Sequence, residues 1–253
     1  MKSKRVIYYY NSLQDDFFDD GKVHKLKDDY KWVKNDLFSR VLSALIYAIA
    51  LVFSNIYCRI FLRVRIVGAQ KLRKEKNGFF VYSNHTQPIG DVFNPALVCF
   101  PKRIYTVVSP ANLDIAVIGK ILPYLGALPI PTTLGGMKEF QNAIKCRIDQ
   151  KHPVIIYPEA HVWQYYTGIR PFASTSFKYP VNFNSSVFCT TVTYQKTRFR
   201  KRPKITIFAD GPFYAVGDTA KQKAESLQKA VYDCMCMRSK ESNCEYIEYI
   251  QKV

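Results

Sequence analysis

The stretch that decides the interpretation of this chain is Phe79-Phe80-Val81-Tyr82-Ser83-Asn84-His85-Thr86-Gln87-Pro88-Ile89-Gly90-Asp91. Its first residues form a short apolar run, which predicts a buried strand, and an abrupt polar turn follows. A histidine at the exit of a buried strand, with a carboxylate shortly after it, is typical of a general base and the group that orients it. The pattern therefore predicts that His85 is a general base and that Asp91 orients its ring.

A purely structural interpretation of the same turn is also open. A helix that begins after the turn would favour Asp91 in its first turn through the helix dipole, and His85 would then have no chemical role. Asn84 stands directly before His85 at the end of the apolar strand, and it favours the functional interpretation.

A second polar strand end lies further along, at Tyr157-Pro158-Glu159-Ala160-His161. It follows an amphipathic helix and an apolar run, which repeats the order of elements around the first motif. Together, Asn84-His85 with Asp91 and then Pro158-Glu159 resemble the signature of the glycerolipid acyltransferases. This family includes 1-acyl-sn-glycerol-3-phosphate acyltransferase.

The resemblance implies an acyltransferase that moves a fatty acyl group from an acyl thioester, either acyl-CoA or acyl-ACP, to a hydroxyl. The implied acceptor is lysophosphatidic-acid-like, and the reaction belongs to phospholipid synthesis. His85 and Asp91 are the implied catalytic residues, and Asn84 and Glu159 are implied to bind substrate. The implied chemistry needs no bound cofactor and no metal.

The sequence departs from the family pattern at two places. Five residues separate His85 from Asp91, where the family has four. We expect the turn to bulge and to bring Asp91 back to the imidazole, because Gly90 can take backbone angles that are closed to other residues.

The second departure is Val162, which stands where the family has a phosphate-binding arginine, after Ala160 and His161 in place of Gly and Thr. His161 or Arg170 is predicted to supply the missing positive charge for substrate binding.

Strands that alternate with helices over some 150 residues predict an α/β fold, with a central mixed, largely parallel sheet flanked by helices. We divide the chain into a polar N-terminal lead-in (1–36), a hydrophobic membrane-associating segment (37–62) and an acyltransferase α/β domain (63–253).

The segment Val41–Cys58 consists of 18 uncharged residues between Arg40 and Arg59. A helix of that length measures about 27 Å, slightly less than a hydrocarbon core. It is predicted as an in-plane or re-entrant anchor, a single membrane span, or a buried core helix. The family resemblance implies a membrane-entering helical segment at this place.

The chain carries 37 Lys and Arg against 20 Asp and Glu, a formal net charge of +17. Such a balance indicates a polyanionic partner, and six of the basic residues lie within Lys196–Lys204. We favour an anionic membrane surface over nucleic acid, because that cluster has only Phe199 for stacking on bases. A solvated hairpin loop without a partner is the third interpretation. The alternatives to an enzyme are a non-catalytic lipid- or membrane-binding protein on the same fold and a basic nucleic-acid-binding protein.

Seven cysteines show no disulfide-scaffold spacing, and no group of ligand-type residues stands at metal-site spacing. The first 36 residues are crowded with charge, so no cleavable signal peptide is predicted. These features favour a reducing compartment. The expected location is the cytoplasmic face of a membrane, as a peripheral or monotopic protein, with a single span as the other option.

Overall fold

The computed structural model describes residues 6–252 except 20, 23, 28, 35, 199 and 200, so Phe199 and its predicted role lie outside the described part. The described residues form nine strands and seven α-helices. The strands are β1 Val6–Tyr10, β2 Arg65–Val67, β3 Phe80–Ser83, β4 Tyr105–Val108, β5 Ala127–Pro129, β6 Val154–Ile156, β7 Val187–Gln195, β8 Lys204–Phe213 and β9 Ile247–Gln251. The helices are α1 Leu37–Ile56, α2 Gln70–Lys74, α3 Gly90–Cys99, α4 Ile118–Leu125, α5 Leu134–Asp149, α6 Lys178–Asn182 and α7 Ala220–Ser239.

Seven strands form the central sheet, in the order β2-β8-β7-β3-β6-β4-β5. All neighbours in it are parallel except β7 and β8, which form an antiparallel hairpin. β3, the strand of the His85 motif, lies in the centre between β6 and β7. The predicted α/β fold with a mixed, largely parallel sheet and flanking helices is confirmed.

Apolar side chains fill both faces of this sheet, as expected for parallel strands covered by helices. On one face Tyr82, Phe80 and Val154 pack with Phe140 of α5 and Leu227 of α7. On the other face the alternating side chains Phe79, Val81 and Ile155 pack with Leu72 of α2 and Val98 of α3. The strand end that carries His85 is thus fixed from both sides.

Helix α1 continues through a π-helical turn, Tyr57–Phe61, and the segment Leu37–Phe61 is long and apolar enough to cross a membrane. One face of α1 is hydrogen-bonded to the domain. Ser43 Oγ donates to the Tyr124 carbonyl (2.6 Å) and Ser54 Oγ to the Phe93 carbonyl (3.2 Å). The opposite face exposes a row of apolar residues, Leu37, Phe38, Val41, Leu45, Ile49, Val52, Phe53 and Ile56.

The segment predicted as a polar lead-in contains a strand that the sequence analysis did not predict. β1 pairs in parallel with β9, with Val6 opposite Ile247 and Tyr10 opposite Gln251. The rings of Tyr10 and Phe17 then lie against Trp163, at 5.0 and 5.1 Å between centroids. The part of the N-terminal segment around Tyr10 and Phe17 therefore packs on the loop that follows β6.

Candidate active site

His85 lies two residues beyond the carboxyl end of β3, at the edge of the sheet where ligands of parallel α/β proteins usually bind. Asn84 fixes this strand end to its neighbour. Its Oδ1 accepts the Val192 backbone N–H (2.8 Å) and its Nδ2 donates to the Val192 carbonyl (3.1 Å). The Asn84 side chain is buried, so the structure places this predicted substrate-binding residue in a clamp between β3 and β7.

His85 and Asp91 meet in the turn after β3. The Nδ1 atom of His85 lies 2.8 Å from Oδ2 of Asp91. The Asp91 side chain is 4% exposed and that of His85 is 21% exposed, so the imidazole forms the accessible part of the pair. The backbone N–H groups of Thr86 and Gln87 donate to the same Oδ2 atom, at 3.0 and 2.9 Å. Three donors therefore fix the orientation of this carboxylate.

The extra residue between His85 and Asp91 is absorbed at the start of helix α3. The N–H of Asp91 donates to the Gln87 carbonyl (3.2 Å), which closes a turn and directs the Asp91 side chain back toward the strand end. The reason that we gave for Gly90 is wrong, because Gly90 does not have a positive φ. A Cβ atom there would lie 3.0 Å from the Gln87 Oε1 and Asn94 Nδ2 atoms, so a larger residue would require these side chains to shift by a few tenths of an ångström.

Tyr157 completes the surroundings of the imidazole, a contact that the sequence analysis did not predict. Its ring stacks on His85 with 4.3 Å between ring centroids, and its hydroxyl donates to the Asp91 carbonyl (2.6 Å). Burial and the nearby Asp91 carboxylate raise the pKa of Tyr157 well above its ordinary value. The hydroxyl therefore stays protonated and holds the start of α3 against β6.

Glu159 connects the second motif to the first. Its Oε2 atom accepts the backbone N–H of His85 (3.2 Å), and its Oε1 atom accepts the backbone N–H of Arg170 (3.0 Å). Burial raises the pKa of Glu159, whereas the Arg170 guanidinium and the two N–H donors act in the opposite direction. Glu159 thus ties the loop after β6 to the strand end of His85.

The two residues predicted to supply positive charge are both paired with carboxylates. Arg170 is 1% exposed, and its Nη2 atom lies 3.3 Å from Glu159 Oε2. His161 is partly exposed, and its Nδ1 atom lies 2.8 Å from Oδ2 of Asp16. Asp16 was not singled out in the sequence, because only the packing of the N-terminal segment on this loop brings it here.

One group of metal-ligand side chains occurs in the described part of the chain, and the sequence analysis missed it. Cys189 of β7, Asp210 of β8 and Cys234 of α7 place their ligand atoms within 4.8 Å of one another. The Arg238 guanidinium already binds both Asp210 oxygens, at 2.6 and 2.9 Å. A metal ion would compete with this cation, so the group is poorly suited to a metal.

No protein-family model matches the sequence, and no curated protein matches it either. The structure is similar to the crystal structure of the 1-acyl-sn-glycerophosphate (LPA) acyltransferase PlsC from Thermotoga maritima. The TM-score is 0.59 and the sequence identity is 14%, over 85% of this chain and 86% of that chain. This chain therefore has an acyltransferase fold, and the roles of its individual site residues stay predictions.

Proposed function

We propose that this protein is a membrane-associated O-acyltransferase. It would transfer a fatty acyl chain from an acyl thioester, acyl-CoA or acyl-ACP, to the free hydroxyl of a lysolipid that shares the acylglycerol part of lysophosphatidic acid. The observation that carries the proposal is the 2.8 Å contact between His85 Nδ1 and Asp91 Oδ2 at the carboxyl edge of an acyltransferase-type sheet. The pair has the chemistry that hydroxyl activation requires.

In the proposed reaction the other ring nitrogen of His85, Nε2, accepts the proton of the acceptor hydroxyl as its oxygen attacks the thioester carbonyl carbon. Asp91 holds the proton on Nδ1 and stabilises the imidazolium that forms. The tetrahedral intermediate collapses with cleavage of the C–S bond, and the imidazolium returns the proton to the departing thiolate. The products are an ester and a free thiol, and these steps use only the side chains of this chain and its two substrates.

The oxyanion of the tetrahedral intermediate would need backbone N–H donors, and we place them in the turn after His85. The Thr86 and Gln87 N–H groups point at Asp91, so they are not available for that purpose. Pro88 has no N–H group, which leaves Ile89 and Gly90 as the donors that this turn offers. Ile89 directly precedes α3 and Gly90 is its first residue, so the positive end of the helix dipole would add to these donors.

We further propose that α1 lies in the plane of one leaflet. Hydrogen bonds from Ser43 and Ser54 hold the helix lengthwise against the domain, and Tyr47 adds a third contact through the Ile104 N–H (3.1 Å). A spanning helix would have to leave this surface and expose those polar groups to lipid. The seven free cysteines agree with a reducing compartment and hence with the cytoplasmic leaflet.

The basic hairpin Lys196–Lys204 supports the same orientation. β7 continues five residues past Thr190, which is paired with Ser83 at the end of β3, so the hairpin lies beyond the edge that carries His85. Each basic residue near an anionic bilayer contributes about 1 kcal/mol. The hairpin and the apolar face of α1 would act as two weak anchors that hold the site at the lipid surface.

The test of the proposed function is consumption of acyl-CoA and acyl-ACP with a panel of single-chain lysolipids. We expect turnover by the wild type and a loss of about 10²- to 10⁴-fold in His85→Ala and in Asp91→Asn. His152→Ala is the matched control, because His152 precedes β6 at the opposite edge of the sheet. Turnover that survives His85→Ala would overturn the mechanism. A wild type that binds vesicles but consumes neither thioester would favour the non-catalytic lipid-binding alternative.

A further inference from the structure

The loop between β6 and α6 contains Glu159, which contacts the backbone of His85. Each of the basic side chains Arg170 and His161 of this loop lies against a carboxylate. Arg170 is enclosed by Glu159, by the Leu13 carbonyl (3.5 Å from Nη1) and by the His161 carbonyl, to which its Nη2 donates. Its guanidinium also lies over Trp163, 5.0 Å from the ring centroid. These contacts close Arg170 off from an acceptor.

His161 is the accessible basic residue of this loop, and Asp16 faces it. Their side chains are 37% and 30% exposed, with 2.8 Å between Nδ1 and Oδ2. The Oδ1 atom of Asp16 accepts the Phe18 backbone N–H (2.9 Å), which fixes the carboxylate in place. A carboxylate is therefore held at the surface of the loop.

This carboxylate is linked to the site through a short chain of contacts. The His161 N–H donates to the Glu159 carbonyl (2.8 Å), and the Glu159 side chain accepts the N–H of His85. Asp16 is thus separated from His85 by two residues in contact. An acceptor whose hydroxyl reaches His85 would bring its head group into the field of Asp16.

A terminal phosphomonoester carries a charge of about −1.5 to −2 and is usually met by an arginine fork or several free N–H groups. The loop offers instead one buried arginine already paired with Glu159, one histidine paired with Asp16, and the apolar Val162. We propose that the preferred acceptor has an uncharged or cationic head group and no phosphomonoester, and that Asp16 determines this specificity. The proposal rests on the acyltransferase function proposed above.

The basic hairpin is the competing source of positive charge at this edge of the sheet. Arg202 acts on Tyr165, whose pKa it lowers against the larger, raising effect of burial. The Tyr165 N–H donates to the Thr86 carbonyl (2.8 Å), so the residue on which Arg202 acts contacts the turn of the site. Variants of Asp16 and of Arg202 therefore distinguish the effect of the carboxylate from that of the basic hairpin.

The test compares kcat/KM for three acceptors that share one acyl chain and one glycerol hydroxyl. These are monoacylglycerol, lysophosphatidylethanolamine and lysophosphatidic acid, presented in neutral detergent micelles so that membrane charge does not contribute. We expect lysophosphatidic acid to be the poorest acceptor for the wild type. Asp16→Asn should raise its kcat/KM about tenfold relative to monoacylglycerol, because one repulsive unit charge is removed.

Two variants control for structural effects. Asp16→Glu keeps the charge and should keep the wild-type preference. Asp233→Asn removes one exposed carboxylate, paired with Lys229 on α7, and should leave the preference unchanged.

A wild type that prefers lysophosphatidic acid, and keeps that preference in Asp16→Asn, would overturn the inference. So would a phosphate preference that disappears in Arg202→Gln, since the hairpin would then provide the head-group site. Absence of thioester consumption with all three acceptors, and with the lysolipid panel above, would instead show that the proposed function itself has failed.

Discussion

At the scale of single residues, Asp91 and Asn84 have different roles within one motif. Asp91 collects three donors on Oδ2, and its Oδ1 atom is buried without a hydrogen-bond partner among the described residues. The oxygen and the nitrogen of the Asn84 side-chain amide both form hydrogen bonds with the backbone of Val192. The first residue therefore acts on the imidazole, and the second keeps the strand end that bears the imidazole in register.

We predict that Asn84→Ala lowers stability rather than substrate affinity. The change leaves the N–H and the carbonyl of Val192 buried without the amide, and each unsatisfied group costs about 1–3 kcal/mol. Chemical denaturation should show the loss. KM of the protein that remains folded at low temperature should stay near the wild-type value, and a large rise in KM with unchanged stability would assign Asn84 to the substrate.

Glu159 gives a prediction for pH. Its pKa is raised by burial, so the folded protein holds a proton on it more tightly than the unfolded chain does. The stabilisation of the fold by this bound proton is fully present when the pH is below 4.5, the ordinary pKa of the carboxyl. It is lost as the pH rises through the folded-state pKa.

The measurement is the free energy of unfolding of wild type and Glu159→Gln over a series of pH values. The difference, wild type minus variant, should fall as the pH rises above about 4.5, the unfolded-state value. A difference that grows over this range would mean that Arg170 and the N–H donors outweigh burial.

At the scale of secondary-structure elements, helix α1 combines a polar contact face with an apolar exposed face. Arg103 strengthens the contact face, since its Nη2 atom donates to Ser43 Oγ (2.6 Å) and its guanidinium lies 4.8 Å from the Tyr47 ring centroid. Of the exposed residues, Leu45, Ile49 and Val52 are spaced to share one stripe of the helix.

We predict that replacing Leu45, Ile49 and Val52 together by Asn releases the protein from membranes. Each side chain is more than half exposed, and burying one in lipid contributes about 1.5–3 kcal/mol. Vesicle flotation measures the effect, and circular dichroism checks that the helix remains. The matched control is a triple Asn variant of three other exposed apolar residues, Tyr214, Val216 and Met237. Equal flotation of both variants would exclude α1 as the anchor.

The sequence predicted the elements of the central sheet well, because a run such as Phe80–Ser83 is buried on both faces and carries a strong apolar signal. Thr219 and Gln222 exchange the hydrogen bonds of a capping box at the start of α7, a pattern that neighbouring residues alone determine. β1 and β9 were missed, because both are half-exposed and mixed in polarity, and their pairing joins residues more than 230 positions apart. Long-range pairing of that kind leaves no local pattern.

The candidate site divides in the same way. The sequence identified both polar strand ends, and Glu159 of the second does contact the backbone of His85 in the first. The partners Asp16 and Tyr157 depend on how loops and side chains pack after the sheet has formed, so spacing alone could not indicate them. The burial of Arg170 against Glu159 was unpredictable for the same reason.

At the scale of the whole molecule, the N-terminal segment acts as a cover for the loop after β6. Trp163 is fully buried, its Nε1 donates to the Asp15 carbonyl (2.8 Å), and its ring stacks on Tyr249 of β9 at 4.9 Å. The Trp163 N–H also donates to the His85 carbonyl (3.1 Å). Trp163 therefore connects the N-terminal segment directly to His85.

We predict that deletion of residues 1–19 exposes Trp163 and weakens turnover without unfolding the central sheet. The chain has two tryptophans, and Trp32 lies outside the deleted segment. Trp163 should shift its fluorescence to longer wavelength, and Trp32→Phe in both proteins assigns the change. An unchanged emission maximum after the deletion would contradict the assigned packing of the segment.

The pairing of β1 with β9 has a consequence for biosynthesis. A ribosome releases residue 247 long after residue 6, so β1 has no strand to join while the central sheet is already able to form. During that interval the nascent chain presents Trp163 and the rings of Tyr10 and Phe17 to the cytosol, where a chaperone can bind them. The His85 motif is thus translated early, but the N-terminal segment can cover the loop beside it only after β9 has been translated.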